Sequence, residues 1–299
     1  MFNLQDFIVN SRYFKKFEVD DLLFIEYKCP IDQPATSLWW HSNFFAFVLA
    51  GETLFKTPKG EYPFKAGDCV FAKKGSMVVH SHVHEDYCEL LIFIPDDFIK
   101  SAIEKHKIPL TSHATGHDCD TIIPLVVDNT LLTYFHSLLT YFPNSTPPPA
   151  ALLRLKMEEL IINILSGTHH LALKCYFNEI CASSKPSIKE IMGANFFSNL
   201  SLDEFARLCA RSLSAFKQEF KNIYQTTPGK WLQEKRLEYG RYLLETTHSN
   251  IDEICMMSGF ENRSHFIRVF KTKYGLTPGK FKMKESSLKT KSFVSGSIV

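Results

Sequence analysis

Two segments in the last third of the chain match each other residue by residue. The stretch 216–231 reads FKQEFKNIYQTTPGKW and the stretch 266–281 reads FIRVFKTKYGLTPGKF, so a pair of Phe, a Lys, a Tyr and Thr-Pro-Gly-Lys recur at an offset of 50. Upstream, LDEFA at 202–206 matches IDEIC at 251–255 at an offset of 49. Agreement this dense indicates a duplicated structural unit, with one extra residue in the second copy.

Each copy has the pattern of two helices joined by a tight turn. Ser201 and Asn250 are suited to cap a first helix, and each is followed by Asp-Glu in the first turn, where the helix dipole favours negative charge. Ser212 and Asn262 are suited to cap the second helix of each copy. The sequence therefore predicts two helix-turn-helix units, which lie at 201–225 and 250–275.

The second helix of each copy has an aromatic face and a polar face. Phe216 and Phe220 lie opposite polar residues in the first copy, and Phe266 and Phe270 lie opposite a more basic set in the second. Such a polar face suits the major groove of DNA, because Arg pairs with guanine, Gln with adenine, and Lys with phosphate or guanine. A long helix is predicted between the copies, over 228–245. If both polar faces point the same way, they can enter successive turns of the groove, about 34 Å apart.

Residues 186–284 resemble the DNA-binding domain of the AraC/XylS family of bacterial transcription regulators. The most specific part of the motif lies in the second copy: IDEI at 251–254, SGF at 258–260, Phe266, FK at 270–271 and TP at 277–278. The resemblance implies sequence-specific binding of double-stranded DNA and activation through contact with RNA polymerase. Its base-contact positions fall on Ser214, Lys217, Gln218, Arg263, Ser264 and Arg268. The DNA-backbone candidates on the same faces are Lys221, His265 and Lys271.

Two positions depart from the family pattern. Ala210 stands where the turn of the first copy usually has glycine, and a left-handed backbone there would cost about 1 kcal/mol. Gly240 stands where the helix between the copies usually has alanine, at a cost of about 1 kcal/mol in an exposed helix. Arg236 matches an arginine of that helix in the family, and we expect its role to be structural.

The first 95 residues have the pattern of short strands. Runs rich in aromatic and β-branched residues alternate with turns rich in Gly, Pro and Lys, which favours an antiparallel sandwich or barrel. The family resemblance implies a cupin-like β-barrel here, which binds an effector or mediates dimerisation, and the stretches 40–52 and 66–75 are similar to the two cupin motifs. Strands are expected at 22–27, 44–49, 69–71, 77–79 and 90–94. The expected core or pocket-wall residues include Trp39, Trp40, Phe45 and Phe47.

Residues 96–182 are predicted to form a helical connector. Its helices are expected at 97–106, 124–141 and 150–165, followed by a linker at 182–186. The helix at 150–165 has a wide apolar face, which either packs on the β-domain or pairs with a second copy of the chain. The predicted fold class is thus α+β with two domains. An amino-terminal cupin-like β-barrel with a helical connector precedes a carboxyl-terminal all-α double helix-turn-helix domain at 186–284, and a disordered tail is expected at 285–299.

The distribution of charge separates the two halves. Residues 186–299 contain 18 Lys and Arg against 11 Asp and Glu, whereas the first 185 residues contain 16 against 21. A basic carboxyl-terminal half indicates a polyanionic partner. The eight cysteines include no CxxC pair, the first ten residues have no basic leader, and the longest apolar run, 44–50, is too short to span a membrane. We therefore expect a cytoplasmic protein without a membrane partner.

One cluster of histidines raises the possibility of a metal site. His80, His82 and His84 share a face of a strand, with Asp86 nearby, but they span about 13 Å and cannot all reach one ion at about 2.1 Å. The first cupin-like stretch also lacks the carboxylate of enzymatic cupins, and Val78 replaces a histidine of the second. We expect no metal, no cofactor and no catalytic residues, which disfavours the alternative of a metal-dependent cupin oxygenase. Whether the effector is a small molecule or a protein stays open.

Overall fold

The computed structural model describes residues 2–28, 36–57, 60–81, 87–109, 120–144, 146–167, 169–182, 185–247 and 249–284. The chain divides into two compact units, Met1–Ala194 and Asn195–Val299. The helix Ile188–Asn195 belongs almost entirely to the first unit, although the predicted boundary lies before it, at 182–186.

The strands of the first unit form two sheets. The smaller sheet has the order β1 (Phe2–Asn3), β4 (Thr36–Trp40), β9 (Gly75–Ser81), β6 (Glu52–Thr57) and β7 (Gly60–Lys65). The larger has the order β11 (Ile122–Leu125), β8 (Cys69–Ala72), β5 (Asn43–Ala50), β10 (Cys88–Ile94), β3 (Leu22–Lys28) and β2 (Lys15–Val19). Neighbouring strands are antiparallel except β1 and β4.

The expected barrel is not closed, and the sandwich alternative describes the observed sheets. Among the described residues, β2 and β11 form the two edges of the larger sheet and pair with no strand of the smaller one. The physical reason lies in β5, whose side chains are apolar on both faces. Phe45 and Phe47 pack into a core with helices, whereas Phe44 and Val48 pack into a second core with residues of the smaller sheet. A sheet that helices cover on one face needs no closure to bury its apolar residues.

The sequence predicted five of the strands that the structure describes in the first unit, among them four neighbouring strands of the larger sheet. The five expected strands correspond to β3, β5, β8, β9 and β10, and the side chains of Trp39, Trp40, Phe45 and Phe47 are buried as expected. The missed strands are β1, β2, β4, β6, β7 and β11, which are short or mix polar with apolar residues. The neighbours of β1, β4 and β11 are distant in sequence, whereas β2, β6 and β7 belong to hairpins whose mixed polar and apolar residues give a weak local signal.

The helices of the first unit are α1 (Leu4–Asn10), α2 (Asp96–Lys105), α3 (Asn129–Leu139), α4 (Ala150–Ser166), α5 (Leu171–Ala182) and α6 (Ile188–Asn195). The helix expected at 124–141 begins five residues late, because Pro124 lies in β11 and Asp128 caps α3. The helix expected at 150–165 is α4. Helices α1, α5 and α6 were not predicted.

Most of the apolar face of α4 packs within its own unit. Its buried residues are Leu153, Met157, Leu160, Ile161, Ile164 and Leu165. They belong to the core that also contains β5 and α3. Leu155 lies on another side of α4 and is 58% exposed. The interpretation in which this helix packs on the β-domain therefore accounts for most of the face.

The second unit is helical. Its helices are α7 (Leu202–Leu208), α8 (Leu213–Tyr224), α9 (Pro228–Thr246), α10 (Ile251–Met257) and α11 (Arg263–Tyr274), and residues 278–284 are also helical. The four expected caps are confirmed. Ser201 and Asn250 each form a capping box with the glutamate three residues later, and Ser212 and Asn262 accept hydrogen bonds from the first turns of α8 and α11.

Several predictions fall on residues that the structure does not describe. The expected tail at 285–299 lies outside the described residues, as do His82, His84, Asp86 and part of the linker. Within the described ranges, no group of three or more His, Cys, Asp or Glu side chains is arranged to hold a metal ion. No helix in those ranges is both long and apolar enough to cross a membrane.

Candidate nucleic-acid interface

The aromatic residues of the sequence repeat form the same cluster of edge-to-face and tilted rings twice, and each cluster is called here the aromatic stack of its helix. In the first copy, the rings of Phe220 and Tyr224 on α8 pack against Trp231 of α9, with centroids 5.9 and 5.2 Å apart. In the second, Phe270 and Tyr274 on α11 pack against Phe281, with centroids 5.6 and 6.4 Å apart. The side chains of Phe216 and Phe266 complete the two stacks and are fully buried. Each stack fixes which face of its helix turns away from the core.

The two turns have the same backbone hydrogen bonds. The amides of Ala210 and Arg211 donate to carbonyls near the end of α7, and the amides of Gly259 and Phe260 donate in the same way to α10, at 2.9–3.0 Å. Ala210 is left-handed at φ 51°, as is Gly259 at φ 84°. Ala210 therefore adopts the left-handed backbone for which strain is expected, because glycine tolerates this conformation better than alanine.

Gly259 also lies where other chain segments approach closely. A Cβ atom there would lie 2.4 Å from the carbonyl oxygen of Phe197 and 3.0 Å from Nε of Arg236. Arg236 donates from Nε to the carbonyl of Phe196 at 2.7 Å and from Nη2 to that of Ser198 at 2.6 Å. Burial lowers the pKa of this guanidinium, an effect that Glu261 opposes. Arg236 thus joins α9 to the segment before α7, which is the structural role expected of it.

The expectation of an exposed Gly240 is wrong, because this residue of α9 is buried where α9 packs against α11. A Cβ atom at Gly240 would lie 3.1 Å from the ring of Phe266 and 3.4 Å from Oγ of Ser258. The absent side chain lets the aromatic face of α11 pack close to α9. On α9, the contact with α8 centres on Trp231 and the contact with α11 on Gly240, about 13 Å further along the helix axis.

All the predicted DNA-contact residues lie on the exposed faces of α8 and α11. On α8, Ser214, Lys217, Gln218 and Lys221 are exposed, whereas Phe216 and Phe220 are buried. On α11, Arg263, Ser264, His265, Arg268 and Lys271 are exposed, whereas Phe266 and Phe270 are buried. The structure thus brings the candidates together as two groups, one on each helix.

The start of α11 forms an open depression in the surface. Asn262, Ser264, His265 and Arg268 line it, which places a hydroxyl, an imidazole and a guanidinium side by side. The amide of His265 donates to the side chain of Asn262 at 2.9 Å, so the cap orders the first turn. The depression carries hydrogen-bond donors and positive charge toward solvent, as a surface for base edges and phosphates requires.

Sequence reasoning missed one residue beside this surface. Nε of Arg263 lies 3.0 Å from Oδ1 of Asp252, the second residue of α10. From the sequence, Asp252 was assigned only a favourable interaction with the dipole of α10. The contact depends on the angle between α10 and α11, which the local pattern does not specify.

Comparison with known protein families finds two matches along this chain. Residues 43–176 match the ExsA N-terminal regulatory domain, and residues 205–284 match a helix-turn-helix domain. The thermoregulatory protein LcrF of Yersinia pestis is 24% identical over 239 residues, which cover 79% of this chain and 87% of LcrF. The transcriptional regulator ExsA of Pseudomonas aeruginosa is 22% identical over 249 residues, covering 82% of this chain and 87% of ExsA.

Among solved structures, apo ToxT from Vibrio cholerae aligns with 88% of this chain and 96% of its own, at 14% identity. The TM-score of this alignment is 0.42.

A duplicated helix-turn-helix with two exposed polar helices, joined to a unit that matches a regulatory domain, defines a DNA-binding transcription regulator. The matches cover both units and agree with the motif of the second copy. These matches confirm the resemblance to the AraC/XylS family of transcription regulators.

Proposed function

We propose that this protein activates transcription by binding a specific double-stranded DNA site with α8 and α11 in successive turns of the major groove. One observation carries the proposal: in two copies of one unit, the second helix buries an aromatic face and exposes a polar face at corresponding positions. The basic excess of residues 186–299 supplies the attraction to phosphate that DNA binding requires. LcrF is a thermoregulatory protein and ExsA a transcriptional regulator by name, which supports a regulatory role here.

The two helices present different chemistry to the bases. At matching positions of the repeat, Ser214 corresponds to Ser264, Gln218 to Arg268 and Lys221 to Lys271. Glutamine pairs with adenine and arginine with guanine, so the two half-sites differ in sequence. Lys217 and Arg263 have apolar counterparts, Ile267 and Leu213. We assign base contacts to Ser214, Lys217, Gln218, Arg263, Ser264 and Arg268. We assign backbone contacts to Lys221, His265 and Lys271.

The first unit supplies regulation in this proposal. The match of residues 43–176 to a regulatory domain supports a role for it in effector sensing, dimerisation or both. We retain the cupin-like assignment for residues 1–95, the connector for 96–182 and the DNA-binding domain for 186–284. The effector is a small molecule or a protein, the active form is a homodimer, and RNA polymerase is the partner in activation.

The protein acts without catalytic chemistry and in the cytoplasm, where bacterial DNA is found. The rival function, a metal-dependent cupin oxygenase, requires ligands that the described part of the first unit does not bring together. Metal analysis of the purified protein separates the two functions, because the oxygenase would retain a stoichiometric metal.

Selection of bound sites from random DNA with the full chain tests the proposal. The expected result is a site with two unequal conserved blocks about 10 base pairs apart, one rich in adenine and one in guanine. Transcription in vitro from a promoter that carries the selected site should then rise when the protein is added. Recovery of DNA without a shared sequence would contradict specific recognition, and repression from the selected site would contradict activation.

A further inference from the structure

We propose that Asp252 is a positioning residue that directs the guanidinium of Arg263 toward a guanine in the major groove. The proposal rests on the proposed function, since it concerns how the second unit reads its half-site. Arg263 is the first residue of α11 and Asp252 the second residue of α10, so the two first turns of this helix-turn-helix unit are linked by one ion pair.

The carboxylate of Asp252 contacts the guanidinium of Arg263 at Nε, which lies 3.0 Å from Oδ1. A two-pronged contact with O6 and N7 of guanine needs two parallel N–H donors, and an arginine side chain has four more on Nη1 and Nη2. Asp252 can therefore restrict the direction of the long side chain while donors remain for a base. A side chain ordered in advance loses less conformational entropy when it binds.

Stability of the fold does not explain the pair. The side chains of Arg263 and Asp252 are 59% and 60% exposed, and exposed ion pairs contribute little to folding. Their exposure instead leaves both groups on the surface that meets DNA. In helix-turn-helix complexes the start of the second helix contacts base edges while the first helix crosses the backbone. Arg263 places a positive charge beside the carboxylate of Asp252, which offsets the repulsion between that carboxylate and an approaching phosphate.

The first copy of the repeat has the acid without the arginine. Asp203 corresponds to Asp252 in the first turn of α7, but Leu213 occupies the position of Arg263. A leucine cannot donate a hydrogen bond to guanine. The pair thus belongs to the second copy alone, and it predicts one guanine in the half-site of the second unit that has no counterpart in the other. Asp203 also provides a matched control, because its replacement removes the same charge from the same helical position.

The Arg263→Ala variant first identifies the base pair that Arg263 reads: at that position its preference for the selected base pair should fall by about 5- to 100-fold. The affinity of the full chain is then measured for the selected site and for the three sites that carry another base pair at that position. Asp252→Asn should lose a large part of the same preference at the same base pair, whereas Asp203→Asn should keep it. Both substitutions remove a negative charge near DNA, so both should bind random DNA slightly more tightly.

Two further variants separate positioning from a general effect on folding. In the Arg263→Ala background, Asp252→Asn should change the base preference no further, because the side chain that it directs is gone. Asp252→Glu, which keeps the carboxylate, should recover part of the preference. A unit that merely unfolded would bind every sequence less tightly and would show neither pattern.

The proposal is overturned if Asp252→Asn keeps the wild-type preference, if Asp203→Asn loses it equally, or if Arg263→Ala leaves every base preference intact. In each case the wild-type protein still selects a site, so the proposed function stands. Failure of the wild-type protein to select any site would instead remove the proposed function and this inference together.

Discussion

At the scale of single residues, side chains of the same type have different roles that depend on their surroundings. Arg268 extends from the exposed face of α11 and lines the surface depression, whereas Arg236 is mostly buried and donates to two backbone carbonyls. Both are arginines on helices of one unit, and the family resemblance predicts a base contact for Arg268 and a structural role for Arg236. The exposure of Arg268 supports the base-reading role that we propose for it, whereas the hydrogen bonds of Arg236 give it a structural role.

Replacement of Arg268 by alanine should weaken binding to the selected site by about 1–3 kcal/mol and relax the preference at one base pair. The reason is the loss of a two-pronged contact with guanine. Titration of the selected site and its single-base variants measures the change. Lys221→Ala provides the contrast: it should lower affinity for every sequence and reduce the slope of the salt dependence by about 1. Equal losses for Arg268→Ala on selected and random DNA would contradict a role in base reading.

A buried carboxyl group in the first unit makes the stability of that unit depend on pH. Glu89 on β10 is 6% exposed and accepts a hydrogen bond from the hydroxyl of Tyr87 at 2.8 Å. Burial raises the pKa of Glu89 from 4.5 to about 7, and the bond from Tyr87 partly opposes the shift. The native state therefore binds more protons than the unfolded state between these values, so stability falls as the pH rises through that range.

Glu89→Gln should remove this dependence and stabilise the first unit at pH 8 by about 3 kcal/mol, because the amide carries no charge to bury. Hydrogen exchange of β3, β5 and β10 at pH 5 and pH 8 measures the effect. Glu52→Gln, at the exposed first residue of β6, should leave the protection at both pH values unchanged. Greater protection of the wild-type strands at pH 8 than at pH 5 would contradict the assignment.

At the scale of helices, packing distance determines which residue types each position accepts. Helix propensity favours alanine over glycine inside α9 by about 1 kcal/mol. The close approach of the Phe266 ring to Gly240 opposes this preference, since a Cβ atom would lie 3.1 Å from it. Glycine in place of the family's alanine at position 240 thus leaves room for the ring of Phe266 on α11.

Gly240→Ala should destabilise the contact between α9 and α11 by about 1–2 kcal/mol, despite the better helix former. Faster hydrogen exchange in α11 with unchanged exchange in α8 is the expected result. Gly229→Ala is the matched control in the same helix, because a Cβ atom there would meet nothing within 4 Å. It should be neutral or slightly stabilising. Unchanged or slower exchange of α11 in Gly240→Ala would show that the Phe266 ring moves to accommodate the methyl group without loss of stability.

At the scale of the whole molecule, α4 is the helix through which the proposed homodimer is expected to form. Its buried residues are used inside the first unit, and Leu155 is its large exposed apolar side chain. Only a narrow strip of α4 is therefore left for contact with a second copy. Leu155→Glu tests whether that strip is used.

Leu155→Glu should convert a dimer into a monomer, since a charge would be buried in an apolar contact. Sedimentation of the full chain measures the mass. Leu171→Glu, on α5 and 51% exposed, should leave the dimer intact. A dimeric Leu155→Glu protein, or a monomeric wild type, would remove α4 from the proposed interface.

The helix-turn-helix units could be predicted almost completely from the sequence, whereas the first unit could be predicted only in part. The caps Ser201 and Asn250, the aromatic stripes and the left-handed turn all depend on residues within a few positions of one another, and the duplication displays them twice. Strands β6 and β7 form a hairpin, but their residues mix polar with apolar side chains and give a weak local pattern. Strand β4 pairs with β1 and β9, which are far away in the sequence. The same reason explains why an open pair of sheets could not be distinguished from a closed barrel.

The amino-acid sequence by itself determined the repeated unit and the polar faces of α8 and α11, because short-range periodicity and capping specify them. The motif residues of the second copy added the resemblance to the AraC/XylS family. Only the tertiary structure decided that Gly240 is buried against Phe266, that Glu89 is buried beside Tyr87, and that Asp252 lies beside Arg263. Each of these depends on the distance and angle between elements that pack together. Such distances are set by the sum of many weak contacts across the core, which no local stretch of sequence contains.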